Sequence, residues 1–376
     1  MTAPRFETSE RACERLNINP QTLYAYVSRG LISTNPHPRD SRKRLYSSAD
    51  IDLLHTQQEK GRSRHAIAAS TLDFGEPILH SKLSSIRGGR YYYRGVSAIT
   101  LSESSTLEDI FEMLCNTKIT SQPRVVSSEL IMPESTVFAR IVGVLAHQMK
   151  TSGTHGNKQN AYYLLRLLSS NAAKTAELSA QEPVHEMLGR SWSTHPQAPD
   201  LIRRALVLCA DHELNASTYA TRVTASTGAS LAACLMTGVS TLSGSLHGGL
   251  TDRCLRWMKA QCKQSPPELT PSSKFDPPGF GHRLYPEGDP RPLEILKHCK
   301  EPESWKTTRS QILDLYNTHP TLDYGLALLE HELNLPKGAG FAIFAIGRSV
   351  GWLAHSFEQR KTGALIRPRA YQNKPS

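Results

Sequence analysis

From Thr106 onward the apolar residues recur at helical spacing in one segment after another, and this pattern constrains the fold more than any other feature. Helices are predicted over Leu107–Met113, Ser135–Gln148, Asn160–Leu168 and Pro199–Leu208. No run of alternating apolar and polar residues is sustained over several strands, although SIRGGRYYYRGVSAITL alternates around its glycines as short strands or turns would. The main body is therefore predicted to be all-α in class.

Length and composition bound the kind of protein. The chain has 376 residues, with 39% apolar and 21% charged residues, which predicts two or three folded units and excludes wholesale disorder. No apolar run approaches 18 residues, so no membrane span is expected. The start carries Glu7 and Glu10 and no apolar stretch, which argues against a targeting segment. The seven cysteines include no CxxC pair, so neither a zinc site nor a disulfide framework is expected, and the chain is interpreted as cytoplasmic.

The net charge of +10 is compatible with binding either nucleic acid or a polyanionic small molecule. The first 65 residues hold eleven lysines and arginines against seven acidic residues, and the densest run is RDSRKR at 39–44. Such a run is often a solvated loop, which remains the alternative interpretation here.

The first 62 residues have the pattern of two short helices joined by a tight turn. Thr8 is placed to cap a helix through Leu16, and Asn19 followed by Pro20 marks the start of the next one, Pro20–Arg29. A basic loop bracketed by short apolar runs then predicts a hairpin, and a third helix is predicted from Ser48. The division from the main body is expected near residues 62–72.

This stretch resembles the MerR-like winged helix-turn-helix, particularly in TLYAYVSRGLI and RKRLYSSADIDLL. The resemblance implies a DNA-binding module over residues 1–62, with a recognition helix in the major groove and a wing along phosphates. The implied DNA contacts are Gln21, Thr22, Tyr24 and Arg29 in the helix, and Arg42, Lys43 and Arg44 in the wing. The alternative is a docking or relic module that no longer holds DNA.

Four islands of polar and glycine residues interrupt the helical body. They are ADHELNAST at 210–218, LSGSLHGG at 242–249, PGFGHRLY at 278–285 with DPR at 289–291, and LDY at 322–324 with FAIGRSVGW at 344–352 and LIRPR at 365–369. Burying a dense polar cluster costs free energy, so its presence favours a functional role. Glycines beside a histidine allow a ligand to approach closely. Taken singly, each histidine or arginine is more often structural.

Together the islands resemble the citrate synthase family, in the right order over about 300 residues. The segments that carry the resemblance are ADHELNAST, LHGG, GFGHRLYPEGDPR and AIGRSVGWLAHSFEQRKTGALIRPRA. The resemblance implies a two-domain helical fold, with a large domain over residues 70–247 and 330–376 and a small domain over 248–329. It also implies a homodimer whose active site borrows an arginine from the partner subunit.

The resemblance assigns roles to individual residues. Its catalytic set falls on His247, His282 and Asp323. Its carboxylate-binding set falls on His212, Arg291, Arg348 and Arg367, the last one borrowed across the dimer. The CoA-binding positions are expected at Arg283, Gly279 and Gly281. Acetyl-CoA and oxaloacetate are the implied substrates in this tricarboxylic acid cycle reaction, and no metal or redox cofactor is required.

These residue types fit the chemistry. A carboxylate is a weak base, but one held close to a carbon acid can remove its proton because the high effective concentration compensates for the low basicity. Neutral histidines can donate to an enolate oxygen or to a ketone that becomes an alcohol. Planar guanidinium groups bind the two carboxylates of oxaloacetate at two points each.

Three positions depart from the family pattern. Pro286 and acidic Glu287 stand where a cation near the CoA phosphates is usual, and Cys209 replaces a frequent histidine. After LHGG, the usual small-Asn-Glu sequence is Leu-Thr-Asp at 250–252. None of these changes removes a residue that makes or breaks a bond.

Two classes of function remain open at this point. The first is a condensing enzyme that makes citrate, or 2-methylcitrate from propionyl-CoA. The second is a transcriptional regulator that uses a citrate synthase-like body to sense a metabolite. The complete catalytic set favours the enzyme, because a sensor needs the arginines but not Asp323.

Overall fold

A computed structural model of the chain describes residues 6–28, 31–37, 40–48, 50–52, 54–55, 79–120, 136–151, 156–175, 182–261 and 276–370. The chain divides into two compact units, Met1–His80 and Ser81–Ser376. The predicted division of the second unit into a large and a small domain stays a prediction. The predicted connector Gln264–Pro278 lies outside the described residues up to residue 275.

The first unit consists of two helices and a small antiparallel sheet. Its elements are β1 (Phe6–Glu7), α1 (Ser9–Leu16), α2 (Pro20–Ser28), β2 (Thr34–His37) and β3 (Asp40–Ser47). The strands pair in the order β1-β3-β2. Thr8 caps α1 through the amide of Arg11, and Asn19 Oδ1 accepts from the amide of Thr22 at 2.8 Å at the start of α2. Both predicted caps are therefore confirmed.

A core of its own holds this unit together. Its buried residues come from both helices, from the sheet and from the segments on either side of the sheet: Ala12, Leu16, Leu23, Ile32, Tyr46, Ile51 and Leu54. Residues 48, 50–52 and 54–55 are helical, where the third helix was predicted. The winged helix-turn-helix interpretation itself stays a prediction.

The second unit begins with a three-stranded meander of β4 (Ser84–Arg87), β5 (Arg90–Tyr93) and β6 (Val96–Ser97). Arg87 pairs with Arg90 across a two-residue turn, in which Gly88 and Gly89 have φ of 56° and 69°. Two consecutive positive φ values define the turn that best matches strand twist, and glycine adopts them without steric cost.

Helices make up most of the rest of the second unit that the structure describes. They are α3 (Ala98–Ser104), α4 (Leu107–Cys115), α5 (Val137–Thr151), α6 (Lys158–Ala173), α7 (Val184–Trp192), α8 (Ala198–Cys209), α9 (Ala216–Ser226), α10 (Leu231–Leu242), α11 (Leu250–Gln261), α12 (Pro290–Leu296), α13 (Glu303–Tyr316), α14 (Leu322–Glu332) and α15 (Ala339–Thr362). The four helices predicted from periodicity correspond to α4, α5, α6 and α8. The class is therefore mostly helical rather than purely α, because the described residues also form two small sheets.

Helix α15 is the longest of these helices and packs against α8, α9, α10 and α4. Glycines allow the close approach: a Cβ at Gly347 would lie 2.7 Å from the carbonyl oxygen of Leu206 on α8. On α10, a Cβ at Gly238 would lie 2.5 Å from the indole of Trp352. The central helix thereby brings its polar residues next to the loops that join its neighbours.

No helix in the described part of the chain is long and apolar enough to cross a membrane. The same described residues contain no group of three or more histidine, cysteine or acidic side chains placed to hold a metal ion.

Candidate active site

The loop between α8 and α9 carries His212. Asn215 ends this loop by capping α9, with its Oδ1 accepting from the amide of Thr218 at 3.1 Å. Glu213 has a φ of 49°, a conformation that costs energy for a residue other than glycine. Strand β4 holds the strained turn, because the Ser84 hydroxyl accepts from the Glu213 amide at 3.0 Å and donates to Asp211 at 2.6 Å. The position of His212 is therefore fixed from both sides.

His212 is buried among aromatic and cationic groups. Its Nε2 lies 2.9 Å from the Tyr285 hydroxyl, and its ring centroid lies 5.4 Å from that of His282. Burial, with the positive charges of Arg291 and Arg348, lowers the pKa of His212 well below its usual value. His212 is therefore neutral near pH 7.

His282 lies in the turn region before α12. The backbone amide of Leu284 donates to its Nδ1 at 3.2 Å, so the neutral ring carries its proton on Nε2. Burial, with the charge of Arg291, lowers the pKa of His282 to about 4. His282 is thus a neutral hydrogen-bond donor at physiological pH.

Arg291 sits at the start of α12 between two tyrosine rings. Its Nε and Nη2 donate to the two carboxylate oxygens of Asp289 at 2.9 and 2.7 Å. Its Cζ lies 5.9 Å from the Tyr91 ring centroid and 5.4 Å from that of Tyr285. Both rings also contact His212, so Arg291 and His212 pack against the same two tyrosines.

Arg348 projects from α15 beneath the His212 loop. Its Nε donates to the carbonyl of Cys209 at 2.8 Å, and its Cζ lies 5.0 Å from the Phe344 ring centroid. The amide of Gly351 donates to the carbonyl of Ala210 at 2.9 Å, where a Cβ would lie 2.5 Å from the same oxygen. The absence of that Cβ lets the helix approach the loop closely.

His247 lies in the glycine-containing turn between α10 and α11. Its Nε2 lies 2.9 Å from the Ser217 hydroxyl, which also contacts Asn215 Oδ1 at 2.8 Å and Trp352 Nε1 at 3.2 Å. Burial, with the charge of Arg348, lowers the pKa of His247 to about 3. His247 is therefore the third neutral histidine of this region.

Asp323 occupies the first turn of α14. Its Oδ1 accepts from the Thr251 hydroxyl at 2.6 Å, and burial raises its pKa to about 6 even though Thr251 and Arg291 oppose the change. Its ionised form is thus available above about pH 6.

Of the seven predicted catalytic and carboxylate-binding residues, the structure brings six together. His212 contacts His282 directly, and the electrostatic effects of Arg291, Arg348, His282 and His247 all act on its pKa. Asp323 joins the group through the charge of Arg291.

The seventh residue, Arg367, is exposed beyond the end of α15. The amide of the preceding Ile366 donates to the Ser226 hydroxyl at 3.1 Å, and no contact among the described residues joins Arg367 to the other six.

The predicted CoA-binding positions surround His282. Arg283 is exposed, and Gly279 and Gly281 have φ of 88° and 75°. A Cβ at Gly279 would lie 2.4 Å from the sulfur of Cys254. This position therefore requires glycine both for its positive φ and for the lack of space. Their role toward CoA stays a prediction.

The predicted DNA contacts belong to the first unit. Gln21 and Tyr24 are exposed on α2, whereas the Thr22 hydroxyl donates to Asn19 at 2.9 Å. Lys43 and Arg44 are exposed on β3. Arg29 and the side chain of Arg42 lie outside the described residues.

Sequence reasoning assigned no role to five residues that support the site: Tyr91, Ser217, Thr251, Asp289 and Trp352. Ser217, Asp289 and Trp352 lie within the segments that carry the family resemblance, so their motifs were the available signal. Thr251 was noticed only as a departure, and Tyr91 only as part of the segment SIRGGRYYYRGVSAITL.

The cluster combines one carboxylate, three neutral histidines and two buried guanidinium groups. Such a set can bind a dicarboxylate, polarise a carbonyl and remove a proton from carbon without a metal among its groups. It fits carbon–carbon bond formation between a carbon acid and a keto acid.

Comparison with known proteins agrees with this class. The family model described as "Citrate synthase, C-terminal domain" matches residues 136–369. That match covers more than half of the chain. The chain therefore belongs to the citrate synthase family.

Individual relatives match in part. "Citrate synthase 2" of Bacillus subtilis is 33% identical over 193 residues, which cover 46% of this chain and 51% of that protein. The citrate synthase of Haloferax volcanii is 35% identical over 181 residues, 44% of this chain and 48% of that protein. "2-Methylcitrate synthase 2" of Corynebacterium glutamicum is 28% identical over 216 residues, 52% of this chain and 56% of that protein. The chain spans about half the length of the curated relatives it matches.

Solved structures share the fold over a longer stretch. The citrate synthase of Thermoplasma acidophilum, in a ternary complex with carboxymethyl coenzyme A and oxaloacetate, matches with a TM-score of 0.67 at 21% identity. That match covers 80% of this chain and 94% of the other. Citrate synthase from Thermotoga maritima matches with a TM-score of 0.63 at 22% identity, over 80% of this chain and 94% of the other. At these identities the likeness shows the fold.

Proposed function

We propose that this chain condenses acetyl-CoA with oxaloacetate to give citrate and free CoA. The observation that carries the proposal is the convergence of Asp323, His247 and His282 with Arg291 and Arg348 in one buried cluster. The carboxymethyl coenzyme A and oxaloacetate in the complex of the Thermoplasma acidophilum enzyme support the same substrate class.

The first step is removal of a proton from the methyl group of acetyl-CoA. Asp323 takes this proton, and the negative charge moves to the thioester oxygen. The Ser217 hydroxyl donates to Asn215 Oδ1 at 2.8 Å, and it lies 2.9 Å from Nε2 of His247. When this hydroxyl turns its proton to Nε2, the neutral ring carries its own proton on Nδ1 and can donate to that oxygen. A neutral imidazole suits this role because it stabilises the enolate oxygen by a hydrogen bond and keeps its own proton.

In the second step the enolate carbon attacks the ketone carbon of oxaloacetate. The new carbon–carbon bond converts the ketone oxygen to an alkoxide, and Nε2–H of His282 donates the proton that makes it an alcohol. Arg291, Arg348 and His212 bind the carboxylates of oxaloacetate. Water then hydrolyses the citryl thioester, which yields citrate and the CoA thiol.

The test is a thiol-release assay with the purified full chain, oxaloacetate and either acetyl-CoA or propionyl-CoA. Asp323→Asn and His282→Ala should each lower turnover by about 100-fold or more, the usual scale for acid–base groups. Oxaloacetate binding, measured by calorimetry, should survive in Asp323→Asn. Asp314→Asn, at an exposed position on α13, is the matched control. Wild-type turnover in Asp323→Asn would refute the assignment.

Propionyl-CoA is the second candidate acyl donor, because the matched relative from Corynebacterium glutamicum is a 2-methylcitrate synthase. One methylene changes discrimination by only about 1–3 kcal/mol through the shape of the pocket. The ratio of kcat/KM values for the two acyl-CoA substrates decides between citrate and 2-methylcitrate.

DNA binding is a second candidate function, and the first unit supports it. Helices α1 and α2 are joined by the short segment 17–19, and Lys43 and Arg44 are exposed on β3. We propose that α2 enters a major groove while the β2–β3 hairpin follows phosphates, in the manner of a MerR-like module. A homodimer would present two such modules to an inverted repeat.

A mobility-shift assay tests this proposal, at low and moderate salt, with DNA from upstream of the gene that encodes this chain. Each neutralised phosphate adds about 0.9 to the slope of log affinity against log salt. Replacing Lys43 and Arg44 by alanine should weaken binding to all sequences equally and reduce that slope by about two. If micromolar protein retards no DNA at either salt concentration, the DNA-binding proposal is wrong and the condensing function alone remains.

A further inference from the structure

We propose that Thr251 is a positioning residue that holds the Asp323 carboxylate by one oxygen and leaves the other for the carbon acid. This inference rests on the condensing function proposed above. The Thr251 hydroxyl donates to Asp323 Oδ1 at 2.6 Å, and Thr251 is 1% exposed. Among the described residues, this is the one hydrogen bond that another side chain makes to Asp323. Oδ2 is therefore the oxygen available to a substrate.

The position of Thr251 links the base to the enolate donor. Helix α11 begins at Leu250, whose amide donates to the carbonyl of His247 at 2.8 Å, and the amide of Thr251 donates to that of Gly248 at 3.2 Å. One helical turn thus carries His247 before the helix and Thr251 inside it. The same turn therefore connects the backbone of His247 to the residue whose hydroxyl holds the carboxylate of Asp323.

The methyl group of Thr251 has a fixed neighbour of its own. A Cβ built on Gly340, at the start of α15, would lie 2.9 Å from Thr251 Cγ2. This close packing restricts rotation of the side chain, because a β-branched residue has few χ1 conformations. The hydroxyl is thereby directed at α14 before any substrate binds.

Several charged and titratable groups surround Asp323. Cys254 also faces it from α11, Arg291 and Asp289 from the start of α12, and Cys209 from the end of α8. Arg291 favours the ionised carboxylate, whereas Asp289 and burial disfavour it. The Thr251 hydroxyl adds a hydrogen bond that favours the ionised form, which is the form that acts as base.

The experiment compares Thr251→Val, which keeps the shape and removes the hydroxyl, with Thr251→Ser, which keeps the hydroxyl. Thr308→Val removes a buried hydroxyl from α13 and is the matched control. In Thr251→Val, kcat should fall about tenfold or more while KM for oxaloacetate changes little. The acidic midpoint of the kcat profile should rise by about one pH unit, the scale of one charge-assisted hydrogen bond. Thr251→Ser should restore much of both losses.

A second readout does not require turnover. Carbon-13 NMR of aspartate carboxyls, with Asp323→Asn used to assign the signal, gives the pKa of Asp323 in each variant. The inference is supported if this pKa is higher in Thr251→Val than in the wild type and Thr308→Val. A wild type without condensing activity would refute the proposed function, while the carboxyl titration would still decide this inference.

Two results would overturn the role of Thr251. One is an unchanged midpoint and carboxyl pKa in Thr251→Val. The other is equal loss in Thr251→Ser and Thr251→Val, which would assign the effect to packing of the methyl group. If Thr251→Val does not fold, Thr251→Ala takes its place in both measurements.

Discussion

Arg291 is bound to Asp289 at two points, with Nε 2.9 Å from Oδ1 and Nη2 2.7 Å from Oδ2. Both side chains are buried, and Asp289 also caps α12 by accepting from the amide of Arg291 at 3.0 Å. The aspartate therefore fixes the orientation of the guanidinium group before a substrate carboxylate arrives. It also compensates a charge that would be costly to bury alone.

Removing this partner should destabilise the protein. Asp289→Ala leaves a buried guanidinium without its counterion, which costs about 3–5 kcal/mol in the free energy of unfolding. Oxaloacetate should then raise the melting temperature of Asp289→Ala more than that of the wild type, because the ligand supplies the missing negative charge. Thermal denaturation with and without oxaloacetate measures both effects, with Asp314→Asn as control. An equal ligand shift in the two proteins would contradict this account.

The local parts of this fold could be predicted from the sequence. The caps at Thr8 and Asn19 depend on residues within three positions, and the turn at Gly88–Gly89 depends on two adjacent glycines. The family motifs also located six side chains that the fold brings together. Helix ends differed by a few residues, as at α6, because tertiary packing extends a helix beyond its clearest periodicity.

The supports of the site could not be predicted in this way. Trp352 reaches Ser217 across 135 positions of the chain, and Thr251 reaches Asp323 across 72. Neither pair has a periodicity or a local spacing that would mark it. Their partners become evident only when α15 lies against α9, and α11 against α14.

The raised pKa of Asp323 makes a prediction about stability. This pKa is about 6 in the folded protein against an ordinary 3.8, mainly because burial disfavours the charged form. The resulting stabilisation is fully present below about pH 4 and is lost as the pH rises through 6. The asparagine in Asp323→Asn cannot ionise. The free energy of unfolding of this variant, relative to that of the wild type, should therefore be about 1–3 kcal/mol higher at pH 8 than at pH 4.

Urea denaturation at pH 4, 6 and 8 measures this difference. Asp314→Asn, which removes an exposed carboxylate from α13, shows what loss of a charge does elsewhere. A difference between Asp323→Asn and the wild type that stays constant from pH 4 to pH 8 would rule out the proposed desolvation of Asp323.

CoA recognition should be weak in the wild type. Pro286 and Glu287 are exposed in a turn closed by the amide of Gly288, which donates to the carbonyl of Tyr285 at 3.0 Å. Pro286→Lys should lower KM for acetyl-CoA by about three- to tenfold, because an exposed charge contact is worth less than a buried one. Pro286→Gln removes the proline without adding charge and is the control. A low-micromolar KM in the wild type would show that other residues already bind the phosphates.

The exposed position of Arg367 leads to a prediction about assembly. Arg367 lies beyond the end of α15, and no contact among the described residues joins it to the other six site residues of its own chain. If it completes the site of a partner subunit, Arg367→Ala and Asp323→Asn should each be inactive alone. Mixing them with subunit exchange should restore about one quarter of wild-type activity, because half of the dimers are mixed and each has one intact site.

A second mixture controls for this result. His282 and Asp323 belong to the same side of one subunit's site, so mixing His282→Ala with Asp323→Asn leaves a defect in every site. That mixture should recover nothing under the same exchange conditions. Mass spectrometry of differently tagged chains establishes that exchange has occurred. Recovery in neither mixture, despite complete exchange, would place Arg367 outside the shared site and require the seventh carboxylate-binding group to come from the same subunit.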